Sequence, residues 1–439
     1  MVQNNNYVFG YYLNDLLEGD LDYIFSLANQ KRNNLLKIST EEILKIIDKV
    51  SSFFLNADDN LYTFIYQNLR NIGFSKDMIK LAVIELAKIF TYESIKKRIE
   101  IEMKNFEIFD KWIGKDVKVK AFPLGLLVHI TAGNVFVSSI DSLLNGIITR
   151  NINIVKTSSK VGNFFGLFWI EILKKVEKEL SMDGIISDNI TIISYKSDEF
   201  MDYINRYADA VVVWGSYDTI KYFASNFDPR KKLITFGPKY SIAVIDKVKF
   251  LENVDNDSFY EAIAWDVCLW EQRACSSVQT VYLVGKINKK QIEYFCQKLS
   301  KSIKNFSIPQ DELSFDEYTE IFKNEEIFLA NQVLGKGKYY ERVYWDYNDI
   351  TFFIGPLNRF VCVKNVENKD KLKKNLIPYS TILQSCSLLV QEEDEYITAL
   401  QDCGITRFVK LGKIGFSEIF APHEGEYILR RFSKLVSKI

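Results

Sequence analysis

From residue 118 to residue 246, short runs of β-branched and other apolar residues alternate with stretches of helical periodicity. The apolar runs are KVKAF, GLLVHIT, INIVKT, NITIIS, DAVVVW, LITF and IAVID. Helical patterns fill several of the gaps between them, at 137–148, 162–180, 197–206 and 216–225. Because apolar strands separated by helices form a parallel sheet covered on both faces, this region predicts a doubly wound α/β domain. Such domains bind nucleotides at the carboxyl ends of their strands.

A second series of helices and strands begins near residue 256, with a helix that extends to about residue 270 and then the strand VQTVYLV. Later strands are predicted at 351–355, 359–364, 382–390 and 406–410. The polar residues between the two series place a domain boundary there. We therefore predict a helical N-terminal section at 1–115, a dinucleotide-binding domain at 116–248 and a catalytic domain at 249–414. The N-terminal section and the C-terminal residues 415–439 are expected to pack on the dinucleotide-binding domain.

The balance of charged residues argues against a nucleic-acid partner. The chain has 56 Lys and Arg against 57 Asp and Glu, a formal charge of -1, and lacks the positive excess that nucleic-acid binding requires. Its most apolar long run, residues 125–149, contains His129, Asn134, Asp141 and Asn145, which disfavours a membrane span. The first residues, MVQNNNYVFG, lack the pattern of a secretion signal, so we expect a cytoplasmic protein with reduced thiols. Two histidines and no Cys-x-x-Cys pair exclude a multi-histidine metal site.

The stretch EQRACSSVQT, residues 271–280, places a cysteine in the connection between the predicted helix and the next strand. We interpret the other five cysteines as small buried residues, the usual role of a free cysteine. Cys275 differs because polar residues flank it, and its thiolate would be stabilised there by backbone N–H groups and by the charge of Arg273. The residues alone leave open whether Cys275 is a packing residue or a nucleophile, since neither histidine is close in sequence.

Four motifs follow one another along the chain: PLGLLVHITAGNVFVSSIDSLLNGIITRNINIVKTSS, DAVVVWGSYDTIKYF, LITFGPKYSIAVI and EQRACSSVQTVYLVG. Together they resemble the LuxC-type acyl-CoA reductases, a branch of the aldehyde dehydrogenase superfamily. The resemblance extends from about Phe122 to the C-terminal motif PHEGEY, and the first hundred residues carry no motif of the family. It implies an aldehyde-dehydrogenase-like α/β fold with a cofactor domain and a second domain that carries the nucleophile.

The resemblance assigns the nucleophile to Cys275, which would accept the acyl group as a thioester. The superfamily's oxyanion-binding asparagine corresponds to Asn134 in TAGNV, whose side-chain amide would act together with the backbone N–H of Cys275. An alternative role for Asn134 is to cap a helix that begins near Val135. The two roles are compatible.

The resemblance also implies a cofactor site. Lys156, at the end of INIVK, would meet the adenosine ribose, and Gly215 and Ser216 would lie in the strand-to-helix turn that approaches the pyrophosphate. Members that select NAD often have an acidic residue three positions after the lysine, whereas this chain has Ser159 followed by Lys160. A hydroxyl and an added cation leave room for a 2′-phosphate, so we expect NADPH as the hydride donor, with no metal.

Two departures from ordinary aldehyde dehydrogenases bear on the reaction. Where those enzymes carry a glutamate that activates water, the motif LITFGPK has Thr235. Without this carboxylate the thioester is protected from hydrolysis, which favours reduction over acid formation, although CoA-acylating relatives share the absence. The superfamily's ribose-binding glutamate also has no counterpart in TFFIGP.

The C-terminal motif APHEGEYILRRFSKL resembles the His-acidic-Gly element that precedes a final helix in the family. Its His423 would donate a proton to the aldehyde oxygen, orient the cofactor or cap local structure, and the sequence does not choose among these roles. We interpret His129, on an apolar strand, as a structural histidine, with a place beside the nucleotide cleft as the alternative.

These residues predict NADPH-dependent reduction of an activated, fatty acyl group to the aldehyde through a covalent intermediate on Cys275. The acyl donor would be an acyl-CoA or an acyl-carrying partner protein that resembles an acyl-protein synthetase. Two alternatives remain: a CoA-acylating aldehyde dehydrogenase acting on shorter aldehydes, and an acyl-transfer or scaffold subunit that binds no cofactor. The pairing of subunits in the superfamily implies a homo-oligomer.

Overall fold

The computed structural model describes residues 5–17, 19–69, 72–195, 199–416 and 420–439. The chain divides into two compact units. The first unit comprises Met1–Ile72, Ile79–Gly237 and Glu418–Ile439, and the second comprises Gly73–Met78 and Pro238–Ser417. The division after Gly237 precedes the predicted boundary at 248/249, because the strand IAVID hydrogen-bonds within the second unit.

The first unit contains the predicted parallel sheet. Its strands up to residue 236 are β1 (Asn6–Val8), β2 (Tyr11–Leu13), β3 (Lys118–Pro123), β4 (Leu126–Ile130), β5 (Ile152–Lys156), β6 (Ile190–Ile193), β7 (Ala210–Trp214) and β8 (Lys232–Phe236). The strand order in the sheet is β2-β1-β6-β5-β4-β7-β8, and β4 to β8 run parallel. The chain order reverses between β4 and β7, so their carboxyl ends flank the point where doubly wound sheets bind ligands.

The helices of this unit, up to residue 226, are α1 (Asp20–Lys31), α2 (Thr40–Leu55), α3 (Asp59–Asn68), α4 (Lys76–Ile89), α5 (Tyr92–Met103), α6 (Ser138–Ile148), α7 (Phe164–Glu179), α8 (Glu199–Tyr207) and α9 (Tyr217–Asn226). The first turn of α4 is counted with the second unit. Helices α6, α7 and α9 confirm three of the four predicted helices between the strands. The fourth is α8, and its predicted start at 197 lies outside the described residues.

The N-terminal section is not helical throughout, which corrects the prediction for residues 1–115. Strands β1 and β2 form a hairpin, and β1 adds an antiparallel strand to β6 through the pair Tyr7 and Ile192. The two turn residues, Phe9 and Gly10, have φ of 42° and 109°. Positive φ at both positions is the backbone that matches the twist of a two-residue hairpin. The hairpin is too short for its alternation to stand out beside the long helical patterns that follow.

The second unit is built on another sheet. Its strands are β9 (Tyr240–Asp246), β10 (Val278–Val284), β11 (Gly337–Tyr340), β12 (Val343–Asp346), β13 (Val361–Val366), β14 (Leu383–Leu389) and β15 (Arg407–Lys410), in the order β11-β12-β13-β10-β9-β14-β15. Successive residues of β9 enter opposite cores, Ile242 and Val244 on one face and Ala243 and Ile245 on the other. The predicted strand at 351–355 is wrong, since these residues are irregular, whereas the hairpin of β11 and β12 was not predicted.

Helices of the second unit cover both faces of this sheet: α10 (Lys247–Asn253), α11 (Asp257–Cys268), α12 (Lys289–Lys304), α13 (Phe315–Val333), α14 (Lys369–Leu376) and α15 (Glu393–Gln401). A 3₁₀ segment, Leu269–Gln272, follows α11 directly. Within the described residues, no helix is long and apolar enough to cross a membrane.

The C-terminal element returns to the first unit as one helical turn, α16 (Ile428–Arg431), and a strand, β16 (Ser433–Lys438). The final helix expected from the resemblance is therefore wrong for most of its length. Strand β16 pairs antiparallel with β3, which for this reason lies outside the parallel sheet. Ile428 and Phe432 pack against residues of β4, β7 and β8, so apolar burial anchors the C-terminal element to the sheet that carries the predicted cofactor residues.

Candidate active site

Cys275 lies on the turn that joins the 3₁₀ segment to β10. The backbone N–H of Ser277 donates to the carbonyl oxygen of Ala274 at 3.0 Å, which closes a β-turn with Cys275 as its first central residue. On β9, Ser241 Oγ donates to the carbonyl oxygen of Cys275 at 2.8 Å. The thiol is half-buried, as the prediction of a connecting segment requires.

The other five cysteines are fully buried, which confirms their interpretation as packing residues. Burial raises the pKa of Cys362 to about 12 and that of Cys403 to about 11. It raises the pKa of the other three thiols as well, at Cys268, Cys296 and Cys386. Because the thiolate is the reactive form, these five sulfurs are poor nucleophiles.

Two segments with left-handed backbone pack against each other, and the first of them directly precedes the Cys275 turn. Residues 270–272 have φ of 59°, 48° and 62°, and residues 357–359 have φ of 61°, 53° and 69°. Arg359 Nε and Nη2 donate to the two carboxylate oxygens of Glu271 at 2.8 and 2.5 Å, and both side chains are buried. Burial raises the pKa of the Glu271 carboxyl, and the guanidinium of Arg359 opposes this rise. This ion pair was not predicted, because 88 residues separate its partners.

The side chain of Gln272 connects the same segment to the first residue of β10 and to the residue that precedes β13. Its Nε2 donates to the carbonyl oxygen of Val278 at 2.7 Å and also to that of Phe360, and its Oε1 accepts from the backbone N–H of Phe360 at 2.8 Å. The side chain is buried, so these bonds satisfy polar groups that are removed from water.

Arg273, which was expected to stabilise the Cys275 thiolate, also contacts two residues distant in sequence. Its guanidinium forms an ion pair with Glu317 on α13 and lies over the ring of Phe74 at 5.0 Å. The effect of this cation on the Cys275 thiol therefore stays a prediction.

Asn134 is exposed on the loop between β4 and α6. Helix α6 begins at Ser138 with Val137 as its N-cap residue, and no side chain caps it. The alternative that Asn134 caps a helix starting near Val135 is therefore wrong. The loop is closed instead by Ser138 Oγ, which donates to the carbonyl oxygen of Val135 at 2.7 Å.

Lys156 ends β5 and is half-buried, and the loop that follows exposes Ser159 and Lys160. This loop touches the loop after β4, since a Cβ on Gly133 would lie 2.5 Å from Ser158 Oγ. A side chain at Gly133 would therefore force the two loops apart. The residues predicted to hold the adenosine ribose and its phosphate thus share one edge of the sheet with Asn134.

Gly215 and Ser216 form the turn between β7 and α9, as predicted. Ser216 is the N-cap residue of α9, and its Oγ accepts from the backbone N–H of Thr219 at 3.4 Å. A Cβ on Gly215 would lie 2.9 Å from the Cβ of Thr219, so the close packing of this turn requires glycine. A ten-residue helix that begins at a glycine-containing turn fits the approach of a pyrophosphate to backbone N–H groups. On the neighbouring strand β8, Thr235 is half-buried.

His423 belongs to the first unit and lies at the ends of β7 and β8. Its ring packs against Trp214 and Phe236, with centroid distances of 5.6 and 5.2 Å. The His423 backbone pairs with that of Glu426 across a turn whose central residues both have positive φ. The two aromatic rings, which stack on each other at 3.9 Å, were not predicted, although an aromatic residue ends each of the two strands.

His129 is fully buried in β4, which confirms a structural histidine and excludes a place beside the cleft. Its Nδ1 lies 2.8 Å from Ser142 Oγ and its Nε2 lies 3.0 Å from Asn153 Oδ1. Because the amide oxygen only accepts, Nε2 carries the proton and Nδ1 accepts from Ser142. Trp214 Nε1 in turn donates to Ser142 Oγ at 3.0 Å, so this network holds the indole that contacts His423.

A pH dependence of stability follows from His129. Burial lowers its pKa from 6.5 to about 4, so the unfolded chain binds a proton between these values that the folded chain excludes. Stabilisation by the neutral ring is complete above pH 6.5 and is lost as the pH falls towards 4, by about 3 kcal/mol in all. Urea unfolding should therefore show the advantage of the wild type over His129→Gln shrinking by this amount between pH 7 and 4. If the free energy of unfolding of wild type and of His129→Gln changed equally with pH, the lowered pKa of His129 would be contradicted.

The first unit thus brings Asn134, the predicted cofactor residues and His423 to the carboxyl edge of one sheet, while the second unit carries Cys275. In the described part of the chain, no group of His, Cys, Asp and Glu is arranged to hold a metal ion. A doubly wound α/β unit joined to a second α/β unit that carries a half-buried cysteine is the arrangement of the aldehyde dehydrogenase fold.

Solved structures confirm this fold. An aldehyde dehydrogenase from Brucella melitensis biovar abortus 2308 has a TM-score of 0.76 at 11% identity, with coverage of 99% of this chain and 97% of that chain. Aldehyde dehydrogenase 21 from Physcomitrella patens has a TM-score of 0.74 at 12% identity, covering 97% and 91%.

Within that class, the model of the LuxC family, described as acyl-CoA reductase, matches residues 35–435, and the chain belongs to this family of oxidoreductases. The family inferred from the motifs is confirmed, and the match also covers much of the helical section where no motif was found. A long-chain acyl-protein thioester reductase from Aliivibrio fischeri is 27% identical over 386 residues, 85% of this chain and 77% of the relative. One from Photorhabdus laumondii is 27% identical over 433 residues, 94% and 85%.

Proposed function

We propose that the protein reduces an activated acyl group to the aldehyde, with Cys275 as the acyl carrier and NADPH as the hydride donor. The observation that carries this proposal is the setting of Cys275. In a chain of the acyl-CoA reductase family, it is the half-buried thiol on a turn, whereas the other five thiols are buried.

The first step is attack of the Cys275 thiolate on the carbonyl carbon of an acyl thioester. The donor's thiolate leaves and takes a proton from water, and the acyl group remains as a thioester on Cys275. A bound NADPH supplies the hydride that reduces this thioester. Expulsion of the Cys275 thiolate from the resulting thiohemiacetal releases the aldehyde. Asn134 and the backbone N–H of Cys275 would donate hydrogen bonds to the oxyanion in both steps.

The same thioester must resist water long enough to be reduced. The resemblance aligns Thr235 with the position of the water-activating base in aldehyde dehydrogenases, and a threonine has no carboxylate for that role. This supports a reductase over an acid-forming dehydrogenase.

The relatives' names guide the choice of acyl donor. They are described as long-chain acyl-protein thioester reductases, and the family as acyl-CoA reductases. We therefore propose a long-chain acyl thioester on a partner protein as the natural donor, with acyl-CoA as a smaller substitute.

For NADPH, we propose that Lys156 binds the adenosine ribose and that the Gly215–Ser216 turn approaches the pyrophosphate. The exposed Ser159 and Lys160 would accommodate the 2′-phosphate. His423 shares a unit with these residues and is held by two aromatic rings. This placement supports a role in orienting the cofactor.

Ser159→Glu should shift the preference from NADPH towards NADH. A carboxylate at this position repels a 2′-phosphate and accepts a hydrogen bond from a 2′-hydroxyl, so the ratio of kcat/KM for NADH to that for NADPH should rise by about 10-fold or more. Ser159→Gln, of similar size but uncharged, is the control and should change the ratio little. An unchanged ratio in Ser159→Glu would refute the proposed 2′-phosphate site.

Intact-mass analysis tests the function directly. Incubation with palmitoyl-CoA in the absence of NADPH should add one palmitoyl group, located on the peptide that contains Cys275, and NADPH should then release it as the aldehyde. Aldehyde oxidation with free CoA that is faster than this reduction would favour the CoA-acylating alternative. A protein that is acylated but neither binds NADPH nor forms aldehyde would favour the acyl-transfer subunit.

A further inference from the structure

We infer that the Glu271–Arg359 ion pair fixes the position of the Cys275 turn, which makes both side chains positioning residues for acylation. This inference rests on the proposed function, in which Cys275 is the nucleophile. It concerns residues that neither the motifs nor the cofactor site involves.

The first observation is the backbone on both sides of the pair. Glu271 is the middle residue of the left-handed run 270–272, and Arg359 ends the left-handed run 357–359. Left-handed backbone is unfavourable for residues other than glycine, and such a conformation persists only where surrounding contacts enforce it. Here six residues with side chains adopt it in two segments that are in direct contact.

The second observation is the set of contacts that enforce this backbone. The planar fork of Arg359 bonds both oxygens of the Glu271 carboxylate, and the backbone N–H of Asn358 donates to the carbonyl oxygen of Glu271 at 3.3 Å. The guanidinium also lies over the ring of Phe306 at 5.1 Å. A bidentate pair fixes orientation as well as distance, which a point charge does not.

The third observation connects the pair to Cys275. Gln272, next to Glu271, donates from its side chain to the carbonyl oxygen of Val278. This hydrogen bond closes a short loop, residues 273–277, with Cys275 at its centre. Relaxation of Glu271 towards ordinary φ values would move Gln272 and, with it, the closed loop that presents the thiol.

The variants must separate position from folding. Arg359→Met alone leaves a carboxylate buried without its partner, a change that is strongly destabilising. The double variant Glu271→Gln/Arg359→Met removes both charges and keeps the volume. Arg359→Lys keeps the charge but loses the fork. The control is Lys364→Met/Asp349→Asn, which removes another ion pair of the same unit, between a buried lysine and a half-exposed carboxylate.

Single-turnover acylation by palmitoyl-CoA is the main measurement, with alkylation by iodoacetamide as a probe of the thiol that requires no oriented donor. We expect acylation to slow by about 100-fold in the double variant and by about 10-fold or more in Arg359→Lys. In both variants the rate of alkylation should stay within about 3-fold of the wild-type rate. In the control variant the rates of acylation and of alkylation should both stay within this range.

Acylation within about 3-fold of wild type in folded Arg359→Lys and in the double variant would overturn the inference. Equal decreases in the rates of acylation and alkylation would overturn the inference as well. The Glu271–Arg359 pair would then act on the reactivity of the thiol and not on its position. Failure of the proposed function has a different signature, a wild-type protein that is never acylated.

Discussion

Replacement of Cys275 by serine is expected to abolish the acyl-enzyme and to lower aldehyde formation by at least about 10³-fold. A hydroxyl is a far weaker nucleophile than a thiolate, and an ester is a poorer acceptor of hydride than a thioester. Oxidation of NADPH and intact-mass analysis measure the two effects. Cys403→Ser is the matched control, because burial keeps that thiol protonated, and it should retain acylation and turnover.

Acyl-enzyme that persists in Cys275→Ser, or a mass increase on a peptide without Cys275, would show that another residue carries the acyl group. Loss of activity in Cys403→Ser with normal folding would likewise show that a buried thiol takes part.

Asn134→Ala is expected to lower kcat by about 10² to 10³-fold, the usual effect of removing one oxyanion donor. Asn134 is exposed on a loop outside α6, and the thermal midpoint of the variant measures any effect on folding. Ser138→Ala is the control, since it removes a hydrogen bond from the same loop without removing the amide. Equal losses in the two variants would mean that Asn134 acts through the shape of the loop.

Local pattern was sufficient to predict the parallel sheet of the first unit. Each of its strands from β4 to β8 is a short apolar run, and in the helices between them apolar residues recur at helical spacing. The spacing and the length of these runs therefore identify the strands and the helices. The strand IAVID has the same local pattern, yet β9 lies in the other sheet, between β10 and β14. The residues of a buried strand do not indicate which other strands it pairs with.

The edges of the sheets were harder to predict for the same reason. The pairing of β1 with β6 and that of β16 with β3 join residues from distant parts of the chain. The six residues SKLVSK do not alternate between polar and apolar, so they carry no strand pattern of their own, and the resemblance favoured the helix. Only the presence of β3 as a partner decides between strand and helix.

The candidate site shows a similar division. Motifs identified Cys275, Asn134 and the Gly215 turn, because these residues are recognised by type and spacing. They did not identify Arg359, whose importance depends on its contact with Glu271 across 88 residues. They also gave no indication that Arg273 pairs with Glu317, because 44 residues separate the two side chains.

The burial of five of the six sulfurs determines where oxidation would inactivate the protein. Peroxide and other oxidants attack thiolates that solvent can reach, so damage is concentrated on the one sulfur that the proposed reaction needs. An acyl group on that sulfur blocks this attack. The acyl-enzyme would therefore resist oxidation better than the free enzyme. The concentration of acyl donor would then determine how long the protein stays active in the presence of oxygen.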